Sequence, residues 1–258
     1  MLELFSDIFS NRDHFLTRMD PRAKLVFSLL IVLLVILSGR AAFPLTVLAA
    51  GLAGMLALGV PKRLLLARLA GPMGMVTVLI LLQSFLSGTT EIYSASWGAV
   101  KLSLKEEGLR HGLLMGSRVL GAVSAVMFLS LITPAHRVFH ALLWFRVPRG
   151  WVEVAMLMYR YIFSLLDDVA DVAAAQKVRL GYQGVKRSLS SMGVLAGAVM
   201  LRSLDQAART HAAMVVRGYR GSIPFGPHPK MAARDFWLMI GASAAAALLA
   251  FFLEGRLG

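Results

Sequence analysis

Ala174-Ala175-Gln176-Lys177-Val178-Arg179-Leu180-Gly181-Tyr182-Gln183-Gly184 is echoed by Ala212-Ala213-Met214-Val215-Val216-Arg217-Gly218-Tyr219-Arg220-Gly221. The second copy lacks the residue between arginine and glycine. Each copy reads as the end of a helix. Small and straight-chain residues favour helix up to the arginine, and glycine takes the left-handed conformation that stops it. The arginine then sits in the last turn, where a cation suits the helix macrodipole. Arg179 with Gly181, and Arg217 with Gly218, are therefore expected to form two arginine-tipped helix ends. Ordinary capping accounts for one such copy, whereas two point to a shared function.

Outward from this stretch, the composition sets the class. Of 258 residues 57% are hydrophobic and 16% charged, and mean hydropathy is +0.69. A soluble domain carries about 25% charged residues, so this is the composition of a membrane protein. With no cysteine, disulfides and thiolate metal sites are excluded. A net charge of +13 raises the question of nucleic acid, but cytoplasmic loops of membrane proteins collect Lys and Arg, and the bilayer is the expected partner.

Apolar runs place about five spans. Residues 1–19 are mostly polar, with Leu4, Phe5, Ile8 and Phe9 spaced to form an interfacial anchor. Asp20-Pro21 reads as helix cap and first helical position, opening a span over Leu25 to Leu37. The twenty-residue lead before this run argues against a cleaved signal peptide. Further spans are expected over Ala41 to Val60, Ala70 to Leu86, Leu109 to Ile132 and Phe236 to Leu253, with a basic turn from Pro61 to Arg68. Residues 88–108 read as a surface loop anchored by Tyr93 and Trp97.

The region from Ala135 to Arg234 is long, basic and without a clean twenty-residue apolar run. Trp151, Val154, Ala155, Met158, Ile162, Leu165, Val169 and Val172 recur at helical spacing, as do Met192, Leu195, Val199, Leu204 and Ala208. This predicts two long helices. Four lysines and arginines precede the first span, three follow the second and fourteen lie in this region, so 21 of 27 fall on one side. That bias places the N-terminus and the doubled motif in the cytoplasm. The expected fold is an all-α integral membrane protein: 1–134 with the first four spans, a cytoplasmic helical coupling domain over 135–234, and a last span in 235–258.

Other candidate chemistry is thinner. Asp167, Asp168 and Asp171 share a helix face and spell an aspartate-rich motif that holds magnesium diphosphate in prenyl-transferring enzymes, but no second acidic motif accompanies it. A membrane-embedded prenyl or phospholipid transferase is the alternative this leaves. His136 and His140 lack the glutamate of a zinc protease helix, and no phosphate-binding loop is present. No metal site, cofactor or catalytic residue is expected. Arg118 lies inside the fourth span, where a guanidinium is costly unless it finds a partner or snorkels. Two readings fit it, a polar contact to a neighbouring helix or subunit and a reach towards the outer surface.

Two arginine tips on one platform call for a partner with two similar grooves, each lined with carboxylates or helix C-termini, as a dimer or a homologous pair offers. The chain resembles the T subunit of energy-coupling-factor transporters, especially the cobalt and nickel branch, CbiQ and NikQ. The resemblance rests on Asp20-Pro21-Arg22-Ala23-Lys24, Arg118, Thr133-Pro134, Val147-Pro148, Tyr159-Arg160-Tyr161 and the two Arg-Gly boxes. Val178 and Val216 stand where the family's motif has alanine, and Leu180 separates Arg179 from its glycine. The resemblance implies that Arg179 and Arg217 dock two ATP-binding subunits, with Gly181 and Gly218 shaping the turns. It also implies that a separate membrane subunit binds the substrate, a metal ion or a vitamin, and that the chain sits in the cell inner membrane.

Overall fold

The Asp20 carboxylate accepts a hydrogen bond from the Arg22 amide at 2.9 Å, and Pro21, which has no N–H to leave unpaired, takes the first helical position. This is how the first helix starts. The computed structural model describes residues 19–86, 91–97, 100–222 and 233–255. The helices are α1 (Pro21–Leu37), α2 (Ala42–Ala57), α3 (Lys62–Leu86), α4 (Glu106–Ile132), α5 (Ala135–Trp144), α6 (Arg149–Val178), α7 (Val185–Val216) and α8 (Ala233–Gly255). Between α3 and α4 stands an antiparallel hairpin, β1 (Glu91–Trp97) and β2 (Val100–Lys105). The helical class holds, with this one hairpin among the described residues. The apolar group at Leu4 to Phe9 lies outside them.

Three segments, Lys62–Phe85, Glu106–Ile132 and Ala233–Leu253, are long and apolar enough to cross a membrane. With 17 and 16 residues, α1 and α2 are shorter. At roughly 1.5 Å per residue they extend about 26 and 24 Å against a hydrocarbon core of about 30 Å. The expected basic turn after Pro61 is instead the first part of α3. The Pro61 carbonyl accepts from the Leu64 and Leu65 amides at 3.0 and 3.2 Å, so the helix is under way before Arg68. Lysine and arginine are good helix formers, and charge alone does not interrupt a helix.

The expected surface loop is the hairpin. Val100, Leu102 and Leu104 alternate with Lys101, Ser103 and Lys105, the period-two pattern of a strand. Pairing runs from Trp97 opposite Val100 to Glu91 opposite Lys105, with a register shift between Glu91 and Tyr93. The side chains of Tyr93 and Trp97, the expected anchors, lie outside the described part.

The chain divides into two compact units, Met1–Ala141 with Lys230–Gly258, and Leu142–Pro229. In the first, α4 packs against α1, α2 and α3, and α8 packs on α1 and α2. Small residues permit this. Gly112, Gly116 and Gly121 are buried on α4, and a Cβ at Gly116 would stand 2.8 Å from Val76 Cγ1, one at Gly121 2.8 Å from the Pro44 carbonyl oxygen. Lipid offers helices no hydrophobic reason to associate, so close backbone approach and dispersion take that role. Two apolar clusters complete the unit, Met55, Val60, Leu65, Leu69 and Leu131 in one, Ile31, Val35, Phe43 and Ala250 in the other. Leu66, Met75, Leu81, Leu82 and Phe251 point outward, as lipid-facing side chains do.

The second unit holds α6 and α7 as an antiparallel pair. Gln176 bonds the Ser191 carbonyl, Asp168 meets Arg202, and Thr210 donates to Tyr161, so partners climb one helix as they descend the other. α7 has 32 residues, about 48 Å at roughly 1.5 Å per residue.

Candidate helix-tip docking site

Both copies of the repeated motif end their helices by one hydrogen-bonding scheme. Arg179 is the residue that closes α6 and Arg217 the one that closes α7. After Arg179, the Leu180 amide donates to the Lys177 carbonyl at 3.1 Å and the Gly181 amide to the Gln176 carbonyl at 2.9 Å. After Arg217, the Gly218 amide donates to Val215 at 2.9 Å and the Tyr219 amide to Met214 at 3.0 Å. These paired 5→2 and 6→1 bonds are the Schellman arrangement.

The bonds align the copies differently from the letters. Leu180 corresponds to Gly218, and Gly181 to Tyr219. Leu180 therefore occupies the place of a glycine, and no residue is inserted. It is Leu180 that takes the left-handed conformation, with φ 58°, while Gly218 has φ 87°. The expectation that Gly181 stops α6 by a left-handed φ is thus corrected. Gly181 is small for another reason, since a Cβ there would stand 2.6 Å from Ser191 Oγ and 3.0 Å from the Gln176 carbonyl oxygen. At Gly218 the same atom would meet nothing within 4 Å.

The two tips are exposed, and each sets an arginine beside a bare valine: Val178 is 83% and Val216 88% exposed. Among the described residues, neither the Arg179 nor the Arg217 guanidinium makes a hydrogen bond or ion pair. Their helices lie antiparallel, so the tips stand towards opposite ends of the pair. Beside the second tip a groove of about 620 Å³ is lined by Arg160, Tyr161, Arg209, Thr210 and Arg217 among others.

Arg118 stands elsewhere, in the first unit. Its Nε donates to the Ser38 carbonyl at 3.0 Å, and Nη2 reaches the same oxygen. Ser38 is the closing residue of α1, 2% exposed, so the guanidinium sits on the C-terminal end of a neighbouring helix. Lys24 Nζ does the reverse, donating to the carbonyl of Ile132 at the end of α4 at 3.2 Å. Lys24 to Ser38 and Arg118 to Ile132 are both fourteen residues, so α1 and α4 clasp each other at two levels. The Lys24 clasp escaped the sequence reading, which saw only a basic flank.

Of the acidic trio, Asp168 Oδ1 accepts from Arg202 Nη1 at 2.7 Å. Among the described residues no group of three or more His, Asp or Glu is placed to hold a metal ion.

A family profile described as cobalt transport protein, CbiQ, matches residues 12–226. An uncharacterised protein of Methanocaldococcus jannaschii is 29% identical over 216 residues, 83% of this chain and 80% of that one. The cobalt transport protein CbiQ of Rhodobacter capsulatus is 29% identical over 146 residues, 57% of this chain and 60% of the relative. A putative fused cobalt transport protein CbiMQ of Methanocorpusculum labreanum is 31% identical over 124 residues, 48% of this chain and 21% of the relative. Together with the three helices of spanning length, the match makes this a membrane protein of a transport system. The chain belongs to the CbiQ family of cobalt transport proteins.

Proposed function

We propose that this chain is the transmembrane scaffold and coupling subunit of an energy-coupling-factor importer, itself without catalytic activity. Two ATP-binding subunits dock on Arg179 and Arg217, and a separate membrane subunit binds the substrate. The observation that carries this reading is the pair of exposed C-terminal arginines, each beside a bare valine and without a protein partner among the described residues. A guanidinium presents a fixed fork of donors suited to a carboxylate, and the valine adds apolar area that a groove can cover. The relatives' names favour cobalt over a vitamin, and nickel stays open through the resemblance alone. The putative fused relative accords with a second transport component working beside this one.

In this reading α1 and α2 complete five spans, 1–134 and 235–258 lie in the cell inner membrane, and 135–234 faces the cytoplasm with the N-terminus. Each ATP-binding subunit holds one tip. When the ATP-binding pair rearranges, it moves the two tips, and the ties between α6 and α7 make the helices respond as a pair and pass the motion along the chain to the membrane helices. Arg179→Glu and Arg217→Glu, singly and together, test this in the assembled transporter. Each single change is expected to weaken co-purification of the ATP-binding subunits, and the double change to abolish it together with metal uptake. Undiminished assembly and uptake in the double variant overturns the reading.

A further inference from the structure

The two tips share a backbone scheme but not its support. At the first, Gln176 Nε2 donates to the Ser191 carbonyl at 2.9 Å, Ser191 Oγ donates to the Gly181 carbonyl at 2.8 Å, and the Tyr182 hydroxyl donates to Gln176 Oε1 at 2.7 Å. The Gly181 amide already bonds the Gln176 backbone carbonyl. One glutamine thus ties the last turn of α6 to the second turn of α7, and one serine ties the turn between them to the same place. The absent Cβ of Gly181 is what lets Ser191 approach so closely.

At the second tip the corresponding positions are Met214 for Gln176, Tyr219 for Gly181 and Arg220 for Tyr182. A thioether and a guanidinium cannot reproduce the amide's paired donor and acceptor. Tyr219 meets His211 edge-on, with ring centroids 6.4 Å apart, and among the described residues no side-chain hydrogen bond ties this turn to another helix. The tip without such ties among the described residues carries glycine at its left-handed position. The supported one carries a leucine there, a conformation that non-glycine residues hold only where surroundings enforce it.

We infer that Gln176, Ser191 and Tyr182 form a lock that presents Arg179 in a fixed geometry before any partner arrives, while the turn carrying Arg217 is shaped by its partner on docking. These three are positioning residues and need not touch the partner. The lock stands on the chain alone; its consequence, a preformed and an adaptable docking end, rests on the docking reading above. Two identical ATP-binding subunits would then meet two unequal ends of one scaffold.

The chain has no cysteine, so Val178→Cys and Val216→Cys each accept one nitroxide label, at two almost equally exposed positions. Spin-label spectra of the full chain in nanodiscs, without partners, are expected to give a correlation time at 178 at least about twofold longer than at 216, on the nanosecond scale of loop motion. Ser191→Ala and Tyr182→Phe should each bring 178 towards the mobility of 216 and leave 216 unchanged, and Ser191→Thr should preserve the restraint. Equal mobility at the two positions in the parent chain overturns the lock. So does Ser191→Ala acting on both labels alike, or on neither. If the mobility difference holds but Arg179→Glu leaves association with the ATP-binding subunits intact, the docking reading falls and the lock remains.

Discussion

Replacing Gly218 by alanine isolates the backbone term at the second tip. Its φ of 87° is a region that residues with a Cβ visit at a cost of about 1–2 kcal/mol. The new methyl meets nothing within 4 Å, so neither a clash nor a packing gain enters. Alanine also restricts the frayed state, which returns about 0.4–1 kcal/mol. The net cost is about 1 kcal/mol, or about fivefold in the fraying equilibrium of the last turn of α7. The Gly218 and Tyr219 amides report it, since their bonds to Val215 and Met214 close that turn. Hydrogen–deuterium exchange of the solubilised chain should therefore quicken about fivefold at these amides and stay unchanged at Leu180 and Gly181. Leu180→Gly is the mirror experiment. It removes the strain at φ 58° from a side chain that is 55% exposed, and should slow exchange at the Leu180 and Gly181 amides up to about fivefold. The reasoning is refuted if Gly218→Ala leaves exchange at Tyr219 unchanged, or if Leu180→Gly quickens it at Gly181.

Arg118→Leu leaves the buried Ser38 carbonyl unpaired and should cost about 2–3 kcal/mol, read as a lowered Tm in detergent, with Arg118→Lys recovering part of it through its single donor group. Gly121→Ala sets a Cβ 2.8 Å from the Pro44 carbonyl oxygen and should cost about 1–3 kcal/mol in the same melt, because both partners are backbone and neither can swing aside. Asp168→Asn breaks a half-exposed pair with Arg202 and should change stability by no more than about 1 kcal/mol. Metal uptake should survive that change, whereas a magnesium-dependent transferase centred on Asp168 would be abolished by it.

Helix positions were legible wherever the apolar period and the caps agreed. Asp20-Pro21 starts α1 and Thr133 closes α4 because the signals involved are local. The start of α3 and the hairpin were misread for opposite reasons. Lys62, Arg63 and Arg68 look like a turn by charge yet are good helix formers, and Val100 to Lys105 alternates cleanly in a stretch too polar to be taken for anything but loop. The glycines at 112, 116 and 121 carried a packing signal in their spacing. Their partners, Ile80, Val76 and Pro44, are set by tertiary contact and could not be read from the chain. At the first tip, spelling misled by one residue. Arg-Leu-Gly looks like an insertion into Arg-Gly, and only the hydrogen bonds identify Leu180 as the residue in glycine's place.

The basic residues at helix ends fall into two groups, and the contrast bears on what the tips are for. A helix C-terminus gathers carbonyls that lack amides, and a nearby cation is the ordinary remedy. In the membrane unit the remedy comes from a neighbouring helix: Arg118 serves the end of α1, and Lys24 serves the end of α4. Both cations are engaged inside a low-dielectric setting, where leaving either without a partner is costly. In the second unit three of the last four carbonyls of α6 and of α7 accept from backbone amides, among them the paired bonds after Arg179 and Arg217. Those two arginines are therefore not needed to finish their own helices. A charge that completes no helix and lies beside an exposed valine adds nothing to the fold that a lysine or glutamine would not. Its occurrence at both ends of one helix pair, in a family defined by transport, is the feature on which the proposed docking of two ATP-binding subunits rests.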